Sequence, residues 1–302
     1  MHLLVTGASG WIGSAVVPEL LAAGHAVTGL ARSDASATAL EGAGAAVVRG
    51  SLDDLDVLEA TAREADGVVH LAFKHEQAFT GDFPAAAAAD REAIGAFGRA
   101  LRGTGRPLVI ASGTATLTPG AVRTEEDRPD AGDGAGERVR SEQAVLALAD
   151  EGVRSVSLRL PPTVHGEGDN GFIAMVVGVA RDRGVSAYVG DGTQRWPAVH
   201  RLDVAQLFRL AVEDAPAATV LHGVGEEGVA LGDVAAAIGR QLDVPARGLA
   251  PDDAAAHFGP FLGAFLARDV PASSARTRQL LGWTPTHPTL LEDLDAGHYT
   301  RG

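Results

Sequence analysis

Short apolar runs alternate with amphipathic stretches along the first 160 residues of the chain. Short runs of apolar and β-branched residues predict strands, whereas apolar positions that recur every three or four residues predict helices. The predicted strands are residues 2–5, 26–31, 45–48, 68–71, 108–111 and 155–160, and the predicted helices are residues 11–23, 34–41, 53–65, 83–101 and 137–150.

The predicted strands lack the polar alternation of a half-exposed sheet, which favours a parallel sheet covered by helices on both faces. A loop rich in Gly, Pro and Asp occupies residues 119–136, and shorter elements follow residue 160. We therefore predict an α/β fold, a doubly wound parallel sheet with a smaller C-terminal substrate-binding lobe. The sheet domain would take residues 1–164 with 198–224 returning to it, and the lobe residues 165–197 and 225–302.

A glycine motif lies between the first predicted strand and the first predicted helix. Gly7, Gly10 and Gly13 are spaced G-x-x-G-x-x-G, and in this context the spacing predicts a dinucleotide-binding turn. Amides at the start of the helix would hold a pyrophosphate. We predict cofactor contacts from Gly7, Ser9, Gly10, Trp11, Ile12 and Gly13. The alternative is a glycine-rich turn that binds no ligand.

The ends of the second and third predicted strands bear on the choice of cofactor. The second strand is followed by Arg32 and Ser33 rather than by the acid that holds a ribose 2′-hydroxyl, so NADP(H) is favoured over NAD. Leu52 and Asp53 follow the third strand, where Asp53 is placed to meet the adenine amino group. The alternatives are a solvated Arg32 and an Asp53 that caps the next helix.

Composition and charge exclude several classes of partner. The chain has 302 residues and a net charge of −14, which argues against nucleic acid and anionic membranes. The apolar runs are too short to span a bilayer, and the first strand leaves no room for a signal peptide. With 0 cysteines the chain has no thiol chemistry, and we expect a cytoplasmic protein. Lys74 is the sole lysine.

Several motifs together resemble the short-chain dehydrogenase/reductase superfamily, in its extended or atypical epimerase/dehydratase-like branch. They are the glycine turn from Thr6 to Gly13, Asp53, and residues 70–72, 111–114, 159–166 and 200–205. The resemblance implies a Rossmann sheet, a small-molecule substrate and further cofactor contacts from Ala72, Pro161 and Val164. It also implies a homodimer formed through the long helices after strands four and five.

The catalytic motif of that superfamily, Tyr-x-x-x-Lys, is absent from this sequence. Arg138 and Glu142 stand where its tyrosine and lysine would be. An arginine does not release its proton, so Arg138 could polarise a carbonyl or bind a carboxylate but not act as the acid. The alternative is an ion pair between Arg138 and Glu142 on the helix surface.

Other side chains are candidates for the missing chemistry. Thr114 matches the family's catalytic hydroxyl, although it could instead cap the strand end. Lys74 and His75 follow the fourth strand and are candidate proton donors, or a solvated pair. His165 is another candidate, or a satisfied core histidine. His70 and His200 are expected to be structural. Asp169, Asn170 and Phe172 begin the substrate-binding lobe, and Trp196 is a candidate for the pocket wall; the alternative is that each of these side chains only caps or packs. Ligand spacing predicts no metal site.

Three functions remain open on this sequence. The first is an NADP(H)-dependent oxidoreductase that reduces a small carbonyl or imine, with Thr114 polarising the acceptor and a non-standard proton donor. The second is a catalytically silent NADP-binding sensor, which the missing tyrosine and lysine favour. The third is a redox-neutral isomerase or lyase on the same scaffold.

Overall fold

Seven parallel strands form the central sheet of the computed structural model, which describes residues 1–79, 81–129 and 136–300. Their order across the sheet is β10-β6-β5-β4-β1-β2-β3. The strands are β1 His2–Thr6, β2 Ala26–Ala31, β3 Ala46–Arg49, β4 Gly67–His70, β5 Pro107–Gly113, β6 Arg154–Leu160 and β10 Thr219–His222. The predicted doubly wound parallel sheet is confirmed.

Helices connect these strands and cover both faces of the sheet. They are α1 Gly13–Ala22, α2 Asp34–Gly42, α3 Leu55–Glu64, α4 His75–Phe79, α5 Phe83–Leu101, α6 Gly136–Ala147 and α8 Arg201–Asp214. The helix predicted over residues 11–23 begins only at Gly13, and the one predicted over 137–150 ends in a 3₁₀ turn, Leu148–Glu151. Of the predicted loop, residues 130–135 lie outside the described residues.

Alternate side chains of each strand enter different cores, as the two-residue period of a strand requires. Leu3 and Val5 belong to one buried cluster with α1 and α8, whereas Leu4 belongs to another with α3 and α5. Both faces of the sheet are therefore buried, which explains why the strands read as continuous apolar runs.

The remaining elements follow β6 along the chain; most of them pack around a second hydrophobic core, whereas α12 contacts α8 and β10. They are β7 Thr163–His165, α7 Phe172–Arg183, β8 Ser186–Val189, β9 Arg195–His200, β11 Glu226–Ala230, α9 Leu231–Leu242, β12 Ala246–Leu249, α10 Ala254–Phe258, α11 Pro260–Leu266, α12 Ala275–Leu281 and α13 Leu290–Asp295. Strands β11, β9 and β7 make a small sheet, and β12 pairs with β8. No helix within the described ranges is long and apolar enough to cross a membrane.

Candidate active site

The glycine turn between β1 and α1 leaves no room for side chains at two of its positions. Gly7 has φ +65°, and a Cβ there would lie 2.7 Å from the backbone nitrogen of Ala72. A Cβ on Gly13 would lie 2.1 Å from the Gly7 carbonyl oxygen. Helix α1 therefore starts directly against the turn. No side chain caps it and its first turn carries no acid, so the cradle fits a dinucleotide pyrophosphate.

Trp11 joins this turn to β7 and to the start of α8. Its indole Nε1 donates a hydrogen bond of 2.8 Å to the carbonyl oxygen of Val164, in β7. The guanidinium of Arg201 lies 4.4 Å from the centroid of the indole, at the start of α8. A cation over an aromatic face is attracted to it, so three separate segments meet at Trp11.

The side chains predicted to hold the adenosine end lie at the carboxyl ends of β2 and β3. Arg32 is exposed, and Ser33 caps α2 by accepting from the Ser36 amide. The alternative that Asp53 caps α3 is wrong, because Asp54 occupies that position. Asp53 instead accepts two hydrogen bonds from Lys74 Nζ, at 2.6 and 2.8 Å.

The other predicted cofactor residues border the same edge of the sheet. Leu52 and Pro161 are buried, and the Ala72 amide donates a 3.3 Å hydrogen bond to Thr6 Oγ1. The ammonium group of Lys74, a candidate proton donor, is engaged at the position predicted to contact adenine.

Arg138 is anchored beneath the carboxyl end of β5. Its Nη2 donates 2.9 Å to the Ala111 carbonyl oxygen, and Nη1 donates 3.3 Å to Asp90 Oδ2. Its guanidinium carbon lies 4.4 Å from the centroid of the Phe73 ring. The alternative of a surface pair with Glu142 is wrong, because Glu142 is buried and bonds Arg159 instead.

A buried chain of polar side chains connects Arg138 to the first strand. Asp90 Oδ1 lies 3.2 Å from His70 Nε2, and His70 Nδ1 lies 2.7 Å from Thr6 Oγ1. Burial tends to raise the pKa of Asp90, but the bond to His70 and the charge of Arg138 outweigh it and the pKa is lowered. Asp90 therefore stays ionised and compensates the charge of Arg138. This placement favours a structural role for His70.

His75 stands beside this group at the start of α4. Its ring centroid lies 5.1 Å from that of Phe73, the ring that also contacts Arg138. Loss of water around the ring and then the nearby Arg138 lower the pKa of His75 below its usual 6.5, although the residue is still exposed at the surface. Both causes favour the neutral imidazole, which can pass on a proton through its two ring nitrogens.

Thr114 has an unusual hydroxyl. The residue is 2% exposed, and Oγ1 has no hydrogen-bond partner among the residues that the structure describes. The alternative that it caps the strand end is wrong, because only the Thr114 carbonyl is used, by the Leu117 amide. Buried hydroxyls nearly always have a partner, so the unpaired Oγ1 keeps Thr114 a candidate site residue.

His165 lies in a histidine cluster around Asp293, which we define as His165, His200, His287, His298 and Asp293. His165 is fully buried, and its Nδ1 bonds Asp293 Oδ2 at 2.6 Å. Its Nε2 lies 3.8 Å from a Glu226 oxygen. Burial raises the pKa of Asp293, but the His165 bond and nearby histidine charges outweigh it and lower the pKa. This placement favours a structural His165.

Two members of this cluster, His200 and His287, together with Asp203 have the composition of a metal site. Ligand-type atoms of His200, Asp203 and His287 lie within 4.8 Å of one another. Asp203 already accepts from the Thr286 amide and from His287 Nδ1, at 2.9 and 2.8 Å. The rings of His200 and His287 are stacked at 9°, so their in-plane lone pairs do not converge on one point. We interpret the group as a set of hydrogen bonds that join the start of α8 to the segment around His287. The absence of a metal stays a prediction.

We expect acid to weaken the fold through His200. Burial lowers the pKa of His200 from 6.5 to about 4. The unfolded chain binds this proton at higher pH than the folded one, so the stability is present above pH 6.5 and is lost as pH falls towards 4. His200→Asn keeps the cap on the Leu202 amide and should reduce this loss by about 1–2 kcal/mol, allowing for solvent screening. Urea unfolding at pH 8, 6 and 4.5 tests this. If the free energy of unfolding falls equally with pH in the native protein and in His200→Asn, the prediction is contradicted.

A profile of the NAD dependent epimerase/dehydratase family matches residues 3–221. The chain belongs to this family. The family match confirms the resemblance to the short-chain dehydrogenase/reductase superfamily in its epimerase/dehydratase-like branch. The match covers the glycine turn, Thr114 and Arg138. Helix α6, where Arg138 and Glu142 replace the tyrosine and lysine of the superfamily motif, therefore lies inside the matched region.

Two curated proteins and one solved structure are similar to this chain over most of its length. An uncharacterized protein of Schizosaccharomyces pombe is 45% identical over 99% of this chain and 100% of its own length. A 4-hydroxy-2-methyl-3-oxo-4-farnesyl-3,4-dihydroquinoline-1-oxide ketoreductase of Stigmatella aurantiaca is 26% identical over 73% of this chain and 67% of its own. The solved structure of MoeE5 with UDP-glucose and NAD has a TM-score of 0.77 and 25% identity, covering 99% and 97% of the two chains.

Proposed function

We propose that the protein is an NADP(H)-dependent oxidoreductase that reduces the carbonyl of a small molecule. The observation that carries this is the buried, unpartnered hydroxyl of Thr114, at the same strand end where Arg138 bonds the Ala111 carbonyl. Such a hydroxyl is positioned to bond an oxygen that gains charge during reduction. The ketoreductase relative supports this reaction.

The chemistry divides between the cofactor and the side chains. A bound nicotinamide supplies the hydride. Thr114 donates a hydrogen bond to the carbonyl oxygen, and Arg138 stabilises the negative charge that develops there, without releasing a proton. The proton that completes the alcohol would come from water, either directly or through His75, whose neutral ring takes a proton from water on one nitrogen as it gives its N–H proton from the other. Asp90 holds Arg138 in place and balances its charge.

The preference for NADP(H) rests on the charges after β2 and β3. Asp34, the first acid beyond Arg32, is held by Arg49 at 2.5 Å and is less available to a ribose hydroxyl. Arg32→Ala should raise the Kd for NADPH about 10–150-fold and the Kd for NADH less than about twofold, because one charge-assisted bond contributes about 1.5–3 kcal/mol. Calorimetric titration measures both. Arg102→Ala, at an exposed arginine by the opposite sheet edge, is the control. Equal losses for both cofactors contradict the preference.

The activity itself is tested by following NADPH oxidation at its absorbance band with a panel of ketones and aldehydes. We expect one alcohol formed for each NADPH consumed. Tight NADPH binding without turnover of any carbonyl overturns the proposal. It favours the catalytically silent sensor, a function that is also consistent with Arg138 and Glu142 in place of the family's tyrosine and lysine. Product formation without net NADPH consumption favours the redox-neutral isomerase or lyase.

A further inference from the structure

The ion pair of Lys74 and Asp53 connects two segments that are not neighbours in the sheet. Lys74 follows β4 and Asp53 follows β3, while β1 and β2 lie between these two strands. Neighbouring strands are about 4.8 Å apart, so the two segments leave the sheet about 14 Å apart. The Lys74 side chain nevertheless reaches both carboxylate oxygens of Asp53. The pair therefore spans the carboxyl ends of β1 and β2.

The segment that carries Lys74 packs directly on the glycine turn after β1. The amide of Ala72, two residues before Lys74, donates 3.3 Å to Thr6 Oγ1. A Cβ on Gly7 would lie 2.7 Å from the nitrogen of the same amide. Lys74 is therefore held close to the turn that fits a dinucleotide pyrophosphate.

The segment that carries Asp53 packs beside Arg32, at the end of β2. The Gly50 amide, where this segment begins, donates 3.2 Å to the carbonyl oxygen of Ala31, the residue before Arg32. Leu52, the residue before Asp53, is buried in a cluster to which β2 and the end of β4 also contribute. The ends of these strands therefore converge, and the pair of Lys74 and Asp53 stands at the predicted adenosine side of the glycine turn.

Two acids at this edge of the sheet are each paired with a base. Asp34 is paired with Arg49, and Asp53 is paired with Lys74. NADP(H) differs from NAD(H) by one phosphate on the adenosine ribose, and a phosphate carries about 1.5–2 negative charges at neutral pH. A carboxylate without a counter-ion at this edge would repel that phosphate. Pairing of the acids therefore favours the coenzyme with the additional phosphate.

We propose that Lys74 is a specificity-determining residue for the coenzyme. Its ammonium group compensates the charge of Asp53, so that the additional phosphate of NADP(H) is accepted beside Arg32. This rests on the proposed function, which assigns the coenzyme. Lys74 then acts in the selection of the coenzyme and not as the proton donor. Asp53 can still accept a hydrogen bond from the adenine amino group, because a carboxylate has about four acceptor positions.

The test measures the binding of NADPH and NADH by calorimetry at low salt, without a carbonyl substrate. Lys74→Met should raise the Kd for NADPH about three- to tenfold and the Kd for NADH less than about twofold, because the uncovered charge of Asp53 acts mainly on the additional phosphate. In about 0.5 M salt the change for NADPH should fall below about twofold, since salt screens exposed charges. Lys74→Arg keeps the positive charge and should retain the preference for NADPH.

Two further variants separate the effect of charge from a change in the fold. Lys74→Met combined with Asp53→Asn removes both charges and should restore the native ratio of the two dissociation constants to within about twofold. Arg102→Met removes one positive charge from the exposed pair of Arg102 and Glu151, which are 2.8 Å apart. Arg102 lies before β5, at the opposite end of the sheet, so Arg102→Met should leave both dissociation constants unchanged.

The results for the role of Lys74 and for the reductase are read separately. Equal losses for NADPH and NADH in Lys74→Met overturn the role of Lys74, and so does a double variant that does not recover. A selective loss of NADPH binding that the double variant restores, together with no NADPH oxidation by any carbonyl, supports the role of Lys74 and overturns the reductase proposal.

Discussion

Thr114→Val should lower kcat about 10²–10³-fold while the protein stays fully folded. Valine has nearly the shape of threonine but cannot donate the hydrogen bond that the carbonyl oxygen needs as its charge develops, and one such donor commonly contributes this factor. In the described structure the hydroxyl has no hydrogen-bond partner, so the substitution removes no interaction that stabilises the folded state. The free energy of unfolding should be unchanged or slightly higher. The Kd for NADPH should stay within about twofold.

The control for this variant is Ser186→Ala. Ser186 also has a fully buried hydroxyl without a described partner, but it lies in β8. Removing it should leave kcat unchanged. A kcat for Thr114→Val within about threefold of the native value would exclude Thr114 as the group that polarises the substrate, whatever the stability of the variant.

Glu142→Leu should destabilise the protein by about 3–5 kcal/mol, because it leaves the charge of Arg159 buried without its counter-ion. Arg159 is 0% exposed, and it donates 2.9 Å from Nε and 2.6 Å from Nη2 to the two Glu142 oxygens. Ser157 donates to the same carboxylate. The double variant Glu142→Leu with Arg159→Met should recover most of the loss, since an apolar pair avoids the desolvation of both ions. Urea unfolding at pH 7 measures all three proteins.

The same pair predicts an acid dependence. Burial raises the pKa of Glu142, but the hydrogen bonds and charge of Arg159 outweigh it, so the pKa lies below its usual 4.5. The stability due to the pair is therefore present above pH 4.5 and is lost as pH falls through the lowered pKa. The double variant should lack this loss. A single variant as stable as the native protein would show that Arg159 finds water or another partner.

The strands could be predicted because each is a local pattern of apolar residues that the fold buries on both faces. Side-chain partners could not be predicted in the same way. Arg138 and Glu142 are one helical turn apart and suggested a surface pair, yet Arg138 bonds Asp90 and Glu142 bonds Arg159, 48 and 17 residues away. Such contacts depend on how α5, α6 and β6 pack, and no local pattern encodes that packing.

The position of the candidate site followed from the glycine motif and the strand ends, but its electrostatics did not. Asp90 directly follows a run of five alanines, residues 85–89, and gave no signal as the counter-ion of Arg138. Asp293, the partner of His165, is 128 residues further along the chain.

The contacts of Trp11 bear on the order in which two ligands arrive. Its indole is part of the phosphate-binding turn, yet it is bonded to β7 and covered by the first residue of α8. We therefore expect a coenzyme that occupies the turn to restrain β7 and the start of α8 through Trp11. Such a restraint favours a sequence in which the coenzyme binds before the second ligand.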